Sequence, residues 1–345
     1  MNAVLPRIHS SEAEGFRGAA GSPCPKSRNS LNVWRSNQET FVNRIVKRVL
    51  LGVGGALGLI LVGGGAFVGC QVHRYNASMD KVYDIPVPQI TRVTDPVALA
   101  RGEHVAEAIG ACSGGDCHGA DLGGGKTVDA GPVGKITGPN ITSAGLGAAY
   151  SDGELFRLLR HGLKKDGRSL RFMPAHELNW LPDSDITAAI SYLRTRPPVD
   201  KPSGPFEVGV LGKVLDRQDL FVLDVARRIP HEKVELAPPP EPTAAYGRFL
   251  ALGCTGCHGA GFAGGPIPGA PPDFPTPLNI TPHASGLGGW SYADFDKLLV
   301  EGVRKNGMKL DPFMPITAYK KLDEIEKKAL WAYLQSLPPR PFGER

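Results

Sequence analysis

Residues 254–258 read Cys-Thr-Gly-Cys-His, and residues 112–118 read Cys-Ser-Gly-Gly-Asp-Cys-His. Two thiols separated by two residues and followed at once by an imidazole form the pattern of covalent haem attachment. The spacing has a chemical purpose. The two sulfurs reach the two vinyl groups on one porphyrin edge, and the adjacent histidine is delivered beneath the iron. A zinc site would need further cysteines, and no second pair accompanies Cys254 and Cys257 in that part of the chain. In the earlier motif four residues separate Cys112 from Cys117, and Gly114 and Gly115 give the longer loop room to bulge. Alone, that spacing leaves three readings open: two thioethers, a single thioether through Cys117, or a Cys112–Cys117 disulfide without haem.

Internal repetition strengthens the earlier motif. Cys117-His118-Gly119 precedes Cys257-His258-Gly259 by 140 residues. At nearly the same offset YSDGELFRLLRHG (150–162) recurs as WSYADFDKLLVEG (290–302), Asn140-Ile141-Thr142 as Asn279-Ile280-Thr281, and Phe172-Met173-Pro174 as Phe313-Met314-Pro315. A fixed period of this kind marks two copies of one structural plan. Met173 follows His118 by 55 residues and Met314 follows His258 by 56, in the same Phe-Met-Pro context, so these methionines are the expected sixth iron ligands. Met308 aligns with Arg168 and has no such support. His104, His161, His176 and His283 lack a histidine counterpart in the other copy and read as surface or hydrogen-bonding residues.

The local signals are helical. Ser151 with Glu154, Ser291 with Asp294, and Asp323 with Glu326 have capping-box spacing. Pro197-Pro198 and Pro338-Pro339 end the last helix of each copy. No run alternates long enough to announce a strand. From Val49 to Val72 no residue is charged, long enough for one bilayer-spanning helix, and Arg44, Lys47 and Arg48 on its N-terminal side place that side in the cytoplasm. Val68-Gly69-Cys70 also resembles the end of a lipoprotein signal, with Cys70 as the lipidated residue. The chain therefore reads as all-α: a disordered cytoplasmic tail (1–46), a transmembrane anchor (47–72), a linker (73–95), two tandem cytochrome c-like domains (96–198 and 242–341), and a connector (199–241). The apolar middle of the connector, Leu211 to Val225, suits a strap packed against both copies.

Charge excludes one class. The net +5 of the chain is carried by its first 70 residues, and the remainder is balanced. A folded part without a basic footprint is a poor nucleic-acid binder.

The stretches LNITPHASGLGGWSYADF (278–295) and LDEIEKKALWAYLQSLPP (322–339) are similar to the cytochrome subunits of bacterial membrane-bound alcohol, gluconate and sorbitol dehydrogenases. The resemblance runs over about residues 96 to 341 and is sharpest in the second copy. Those subunits usually carry three haem motifs, whereas this chain has two and an N-terminal apolar segment. The resemblance implies the class I cytochrome c fold, thioethers at Cys254 and Cys257 with axial ligands His258 and Met314, and in the first copy Cys117, His118 and Met173, with Cys112 as the second attachment candidate. Tyr150, Trp290, Tyr192 and Tyr333 are then structural aromatics.

Two covalent haem c groups, each between imidazole and thioether, suit electron transfer, because the methionine fills the coordination site that peroxide or oxygen would need. The expected role is a respiratory electron carrier on the bacterial inner membrane, single-pass, with its haem domains in the periplasm. Its redox partners would be a dehydrogenase, a quinol-oxidising complex or a terminal oxidase. The competing reading is a dihaem enzyme such as a peroxidase or thiosulfate dehydrogenase. Arg157, Arg160, Lys164, Lys165, Arg168 and Arg171 suggest a basic docking rim beside the first haem.

Overall fold

A computed structural model describes residues 29–114 and 117–345, with side chains from residue 41 onward. Residues 1–28 of the expected tail, and Gly115 of the expected loop bulge, lie outside the described residues. The described residues divide into two units, on either side of the boundary between Gly64 and Gly65.

Helix α1 runs from Asn29 to Asp80. Its side chains are exposed from Phe41 to Cys70, and a window within Phe41–Asp80 reaches a mean hydropathy of 2.0, long and apolar enough to cross a membrane. The helix overruns the apolar stretch at both ends. Residues 29–46 are helical where the sequence reads as disordered tail, and residues 73–80 where it reads as linker. No proline lies between Pro25 and Pro86, and no glycine between Asn29 and Leu51 or between Gln71 and Asp80. Nothing stops propagation once the apolar run has nucleated the helix.

The second unit is mainly helical. In chain order it holds α2 (Pro96–His104), α3 (Leu146–Ala149), α4 (Asp152–His161), α5 (Ala175–Leu178), α6 (Asp183–Thr195) and α7 (Val210–Arg217). After these come α8 (Ala244–Leu250), α9 (Thr255–His258), α10 (Tyr292–Glu301), α11 (Ile316–Tyr319) and α12 (Glu324–Ser336). The all-α expectation is corrected by a small antiparallel sheet: β1 (Thr127–Asp129) pairs with β2 (Gly134–Thr137), which pairs with β3 (Glu207–Val208). Strands of two to four residues are too short to carry a period-two signal. The three capping boxes form as spaced, at Ser151, Ser291 and Asp323.

In each repeat the first helix crosses the last at a glycine. A Cβ on Gly102 would lie 2.1 Å from the Ala188 carbonyl oxygen on α6, and one on Gly247 would lie 1.9 Å from that of Ala329 on α12. Only a missing side chain allows helix backbones so close. The cores are continuous rather than separate. Val105, Trp180, Ile186 and Ile190 share a cluster with Tyr246 and Phe249, and Ala108 belongs to the cluster of Phe262, Phe295 and Leu330. Both repeats thus lie in one compact unit. Polar links cross between them: His104 Nε2 to Glu326 at 2.8 Å, and Lys321 Nζ to Glu107 at 2.9 Å.

The connector is a strap held mostly by the first repeat. Leu223 packs on Tyr75 and Met79 at the end of α1, while Val225 and Ile229 pack on Ala175. Toward the second repeat, Leu215 sits against Gly269, where a Cβ would come within 2.4 Å of it. Buried Asp216 fixes the turn by accepting the Leu223 and Asp224 amides at 2.8 and 2.9 Å.

Candidate haem sites

The two attachment segments close into the same loop. The His118 carbonyl accepts the Gly124 N–H at 2.8 Å, and that of His258 accepts the Gly264 N–H at 2.9 Å. Inside each loop a buried apolar residue takes a left-handed backbone conformation, Leu122 at φ 60° and Phe262 at φ 58°. Such conformations are unfavourable for non-glycine residues and persist where packing over-determines them.

Each loop ends by pinning its histidine. His118 Nδ1 donates to the Pro139 carbonyl at 2.8 Å and His258 Nδ1 to that of Leu278 at 2.6 Å. That bond puts the proton on Nδ1 and leaves Nε2 as the nitrogen free to bind metal, with raised basicity. Both rings are buried, and burial lowers both pKa values, so the imidazoles stay neutral, as ligands must.

The repeated Asn-Ile-Thr triplet explains why those carbonyls are where they are. Asn140 Oδ1 accepts the Thr142 amide at 3.0 Å and hydroxyl at 2.7 Å, while its Nδ2 donates to the Val199 and Lys201 carbonyls at 2.8 and 2.9 Å. Asn279 treats Thr281 likewise at 2.9 and 2.8 Å and donates to the Arg340 carbonyl at 2.7 Å. The triplet therefore clamps the residue that accepts from histidine onto the segment just past the terminal helix. The sequence displays the triplet as a repeat, but its role needs the tertiary partner.

The methionine loops also match. The Leu170 amide donates to the Gly162 carbonyl and that of Leu310 to Gly302, both at 2.7 Å, folding the chain back after α4 and α10. His118, Cys112 and Met173 line one cavity of about 450 Å³, walled by Leu159, Ile186 and Ile190. His258, Cys254 and Met314 line another of about 60 Å³, walled by Phe295, Leu299 and Leu330. Cofactor pockets typically measure about 300–1,000 Å³. The first cavity falls within that range and the second below it, although each is lined by one histidine, one methionine and one cysteine. Lys164, Arg171 and Arg194 line the first cavity, and no basic residue other than His258 is among the described residues lining the second. Met308 is exposed and lines neither.

Cysteine placement is uneven. Cys112 lines the first cavity, while Cys117 is exposed beside Gly138, whose Cβ would lie 1.4 Å from the Cys117 carbonyl oxygen. Burial pushes the Cys112 and Cys254 thiols up to about 12, so they are not the acidic thiols of redox-sensing sites. The suggested basic rim loses two members. Arg157 and Arg160 are buried, donating to the carbonyls of Ile85, Lys164 and Lys165, and of Asn179 and Leu181, respectively.

Residues 244–338 match the family model described as cytochrome c. The chain is similar to the gluconate 2-dehydrogenase cytochrome c subunit of Pantoea cypripedii, 40% identical over 94 residues, 25% of this chain and 21% of that protein. It is similar to the fructose dehydrogenase cytochrome subunit of Gluconobacter japonicus, 34% identical over 103 residues, 28% of this chain and 21% of that protein. A third relative, the diheme cytochrome c-type of Cereibacter sphaeroides, is 35% identical over 101 residues, 26% of this chain and 34% of its own length. The chain thus spans between a fifth and a third of the length of these relatives. A cytochrome c domain is thus matched over residues 244–338, and the chain is similar to the cytochrome c subunits of dehydrogenases.

Proposed function

We propose that residues 96–198 and 242–341 are tandem cytochrome c-like domains, each holding one covalent haem. Cys112 and Cys117 would attach the first, between His118 and Met173; Cys254 and Cys257 the second, between His258 and Met314. The protein would carry electrons, one at a time, between a dehydrogenase or quinol-oxidising complex and a terminal acceptor, with α1 anchoring it in the bacterial inner membrane and the haem domains in the periplasm. The observation that carries this reading is the shared construction of the two sites: one loop geometry, one histidine–carbonyl bond, one Asn-Ile-Thr clamp and one methionine on each cavity.

The bound group supplies a one-electron iron couple. The chain's residues set its conditions. Met173 and Met314 offer a soft thioether, which favours the reduced metal. The histidine–carbonyl bonds hold each imidazole as a neutral donor. At the second site the apolar walls keep water away, so little solvent would reorganise there when charge moves. The similarity to dehydrogenase cytochrome subunits supports a donor of that class.

A pyridine haemochrome assay on the purified full chain should give two haems per polypeptide. One haem would reduce the first repeat to a structural unit and overturn the dihaem reading.

A further inference from the structure

Glu177 sits where the repeats meet. It belongs to α5, beyond the Phe-Met-Pro segment of the first repeat, yet its carboxylate contacts the attachment motif of the second. The Thr255 hydroxyl lies 3.3 Å from Glu177 Oε1 and 2.8 Å from the Leu252 carbonyl, its one proton shared between the two acceptors, and the Gly256 N–H also bonds this carboxylate. Thr255 and Gly256 are the residues between Cys254 and Cys257. The Glu177 side chain is only 11% exposed.

Among the described residues no charged cation is paired with it. His176 Nε2 is 3.8 Å away, beyond hydrogen-bond reach, and burial together with Arg228 pushes the His176 pKa down to about 4, so that ring is neutral. Arg228, from the turn at Ala226–Arg228, is paired with Asp219. On α4, Arg160 is held by Asp183 and backbone carbonyls, and His161 is neutral beside His231. On the second repeat Tyr319 is pushed far above its ordinary range and keeps its proton, and His258 is neutral. Cys254 and Cys257 lose their titrating protons on becoming thioethers. Cys117, the remaining thiol near this group, is an attachment candidate of the first motif. Burial pushes Glu177 up to about 7, against the opposing pull of Thr255 and Gly256.

We propose that Glu177 couples proton binding to electron arrival at the second site, being a carboxylate while that site is oxidised and protonated once it is reduced. The inference rests on haem occupying that site. One electron comes from a reduced protein partner and one proton from water; the proton goes to a Glu177 oxygen, and oxidation returns both. The positive charge of the oxidised metal stabilises a nearby carboxylate, and by reciprocity the carboxylate stabilises the oxidised state.

The test is potentiometric titration of the detergent-solubilised holoprotein and of Glu177→Gln between pH 5 and 9. Glutamine keeps an acceptor for Thr255 and Gly256. In the wild type one of the two one-electron steps should fall in potential across neutral pH, by at most about 59 mV per pH unit. Glu177→Gln should abolish that slope, matching the wild type at the acid end and lying above it at the alkaline end. Thr255→Val removes a bond to the carboxylate, so it should move the sloping region to higher pH. Parallel curves for wild type and Glu177→Gln, or an unmoved region in Thr255→Val, would overturn the role of Glu177 alone. A haemochrome assay on the same samples that finds no haem in the second repeat would overturn both this role and the haem reading.

Discussion

The two repeats reach the same histidine geometry by routes of different length. From Gly247 to His258 the second repeat takes eleven residues and stays helical through α8, a 3-10 turn at Ala251–Cys254, and α9. From Gly102 to His118 the first takes sixteen. There α2 widens into a π turn at Val105–Ile109, Ala111 adopts φ 47°, and the Cys112 amide reaches back to the Ala106 carbonyl at 2.8 Å. A π turn is how a helix takes in an extra residue without losing its axis, and such turns gather at functional sites. The fold holds the two ends of the segment, the glycine crossing and the histidine–carbonyl bond, and lets the middle vary. The consequence is chemical as well as geometric: the first site is the wider and has cationic walls, the second is tight and apolar.

The largest effect expected from this comparison concerns what the repeats share. Gly102→Ala and Gly247→Ala each drive a Cβ into a backbone carbonyl that cannot step aside. Overpacking usually costs about 1–3 kcal/mol and occasionally more, and a backbone clash belongs at the upper end. Both variants should lower the denaturation midpoint by similar amounts, and a loss confined to Gly247→Ala would break the equivalence of the helix crossings.

Next comes the point where the repeats differ. Cys112→Ala and Cys254→Ala should each convert one haem to single-thioether attachment, visible as a shift of part of the haemochrome α band. An unchanged spectrum in Cys112→Ala would mean that Cys117 alone attaches the first haem, sharpening the contrast.

The most gradual effect, spread over several pH units, is acid sensitivity. His161 and His176, both in the first repeat, are pushed down to about 4, mainly by burial. Because the folded pKa values lie below the ordinary value, the unfolded chain binds protons more readily in between. Their contribution is whole above about pH 6.5 and is lost as pH falls toward 4. Each residue contributes at most about 1.4 kcal/mol per pH unit, less for solvent screening. Hydrogen exchange should show α4, α5 and the strap losing protection between pH 7 and 5 before α10 and α12 do. Equal loss in both repeats would remove this difference.

Much of this was readable in advance, for identifiable reasons. Capping boxes are set by side chains three residues apart, so Ser151, Ser291 and Asp323 announced their helices locally. The repeat offset singled out Met173 and Met314, which the fold brings to the cavities of His118 and His258. Other features escaped because their cause is distant. Arg157 and Arg160 look like surface charge until the carbonyls they serve are seen. Strands of two to four residues carry no pattern, and α1 runs on because no residue stops it.

By itself the sequence displayed the two Cys-His motifs, the repeat at one offset, the helix caps and the apolar segment, since each depends on residues close together in the chain or repeated at one offset. Only the tertiary structure decided that the Asn-Ile-Thr clamps hold the histidine acceptors, that the repeats share a core, and that Glu177 of one repeat touches the attachment motif of the other. Those relations join groups tens to hundreds of residues apart, and packing alone brings them within bonding distance.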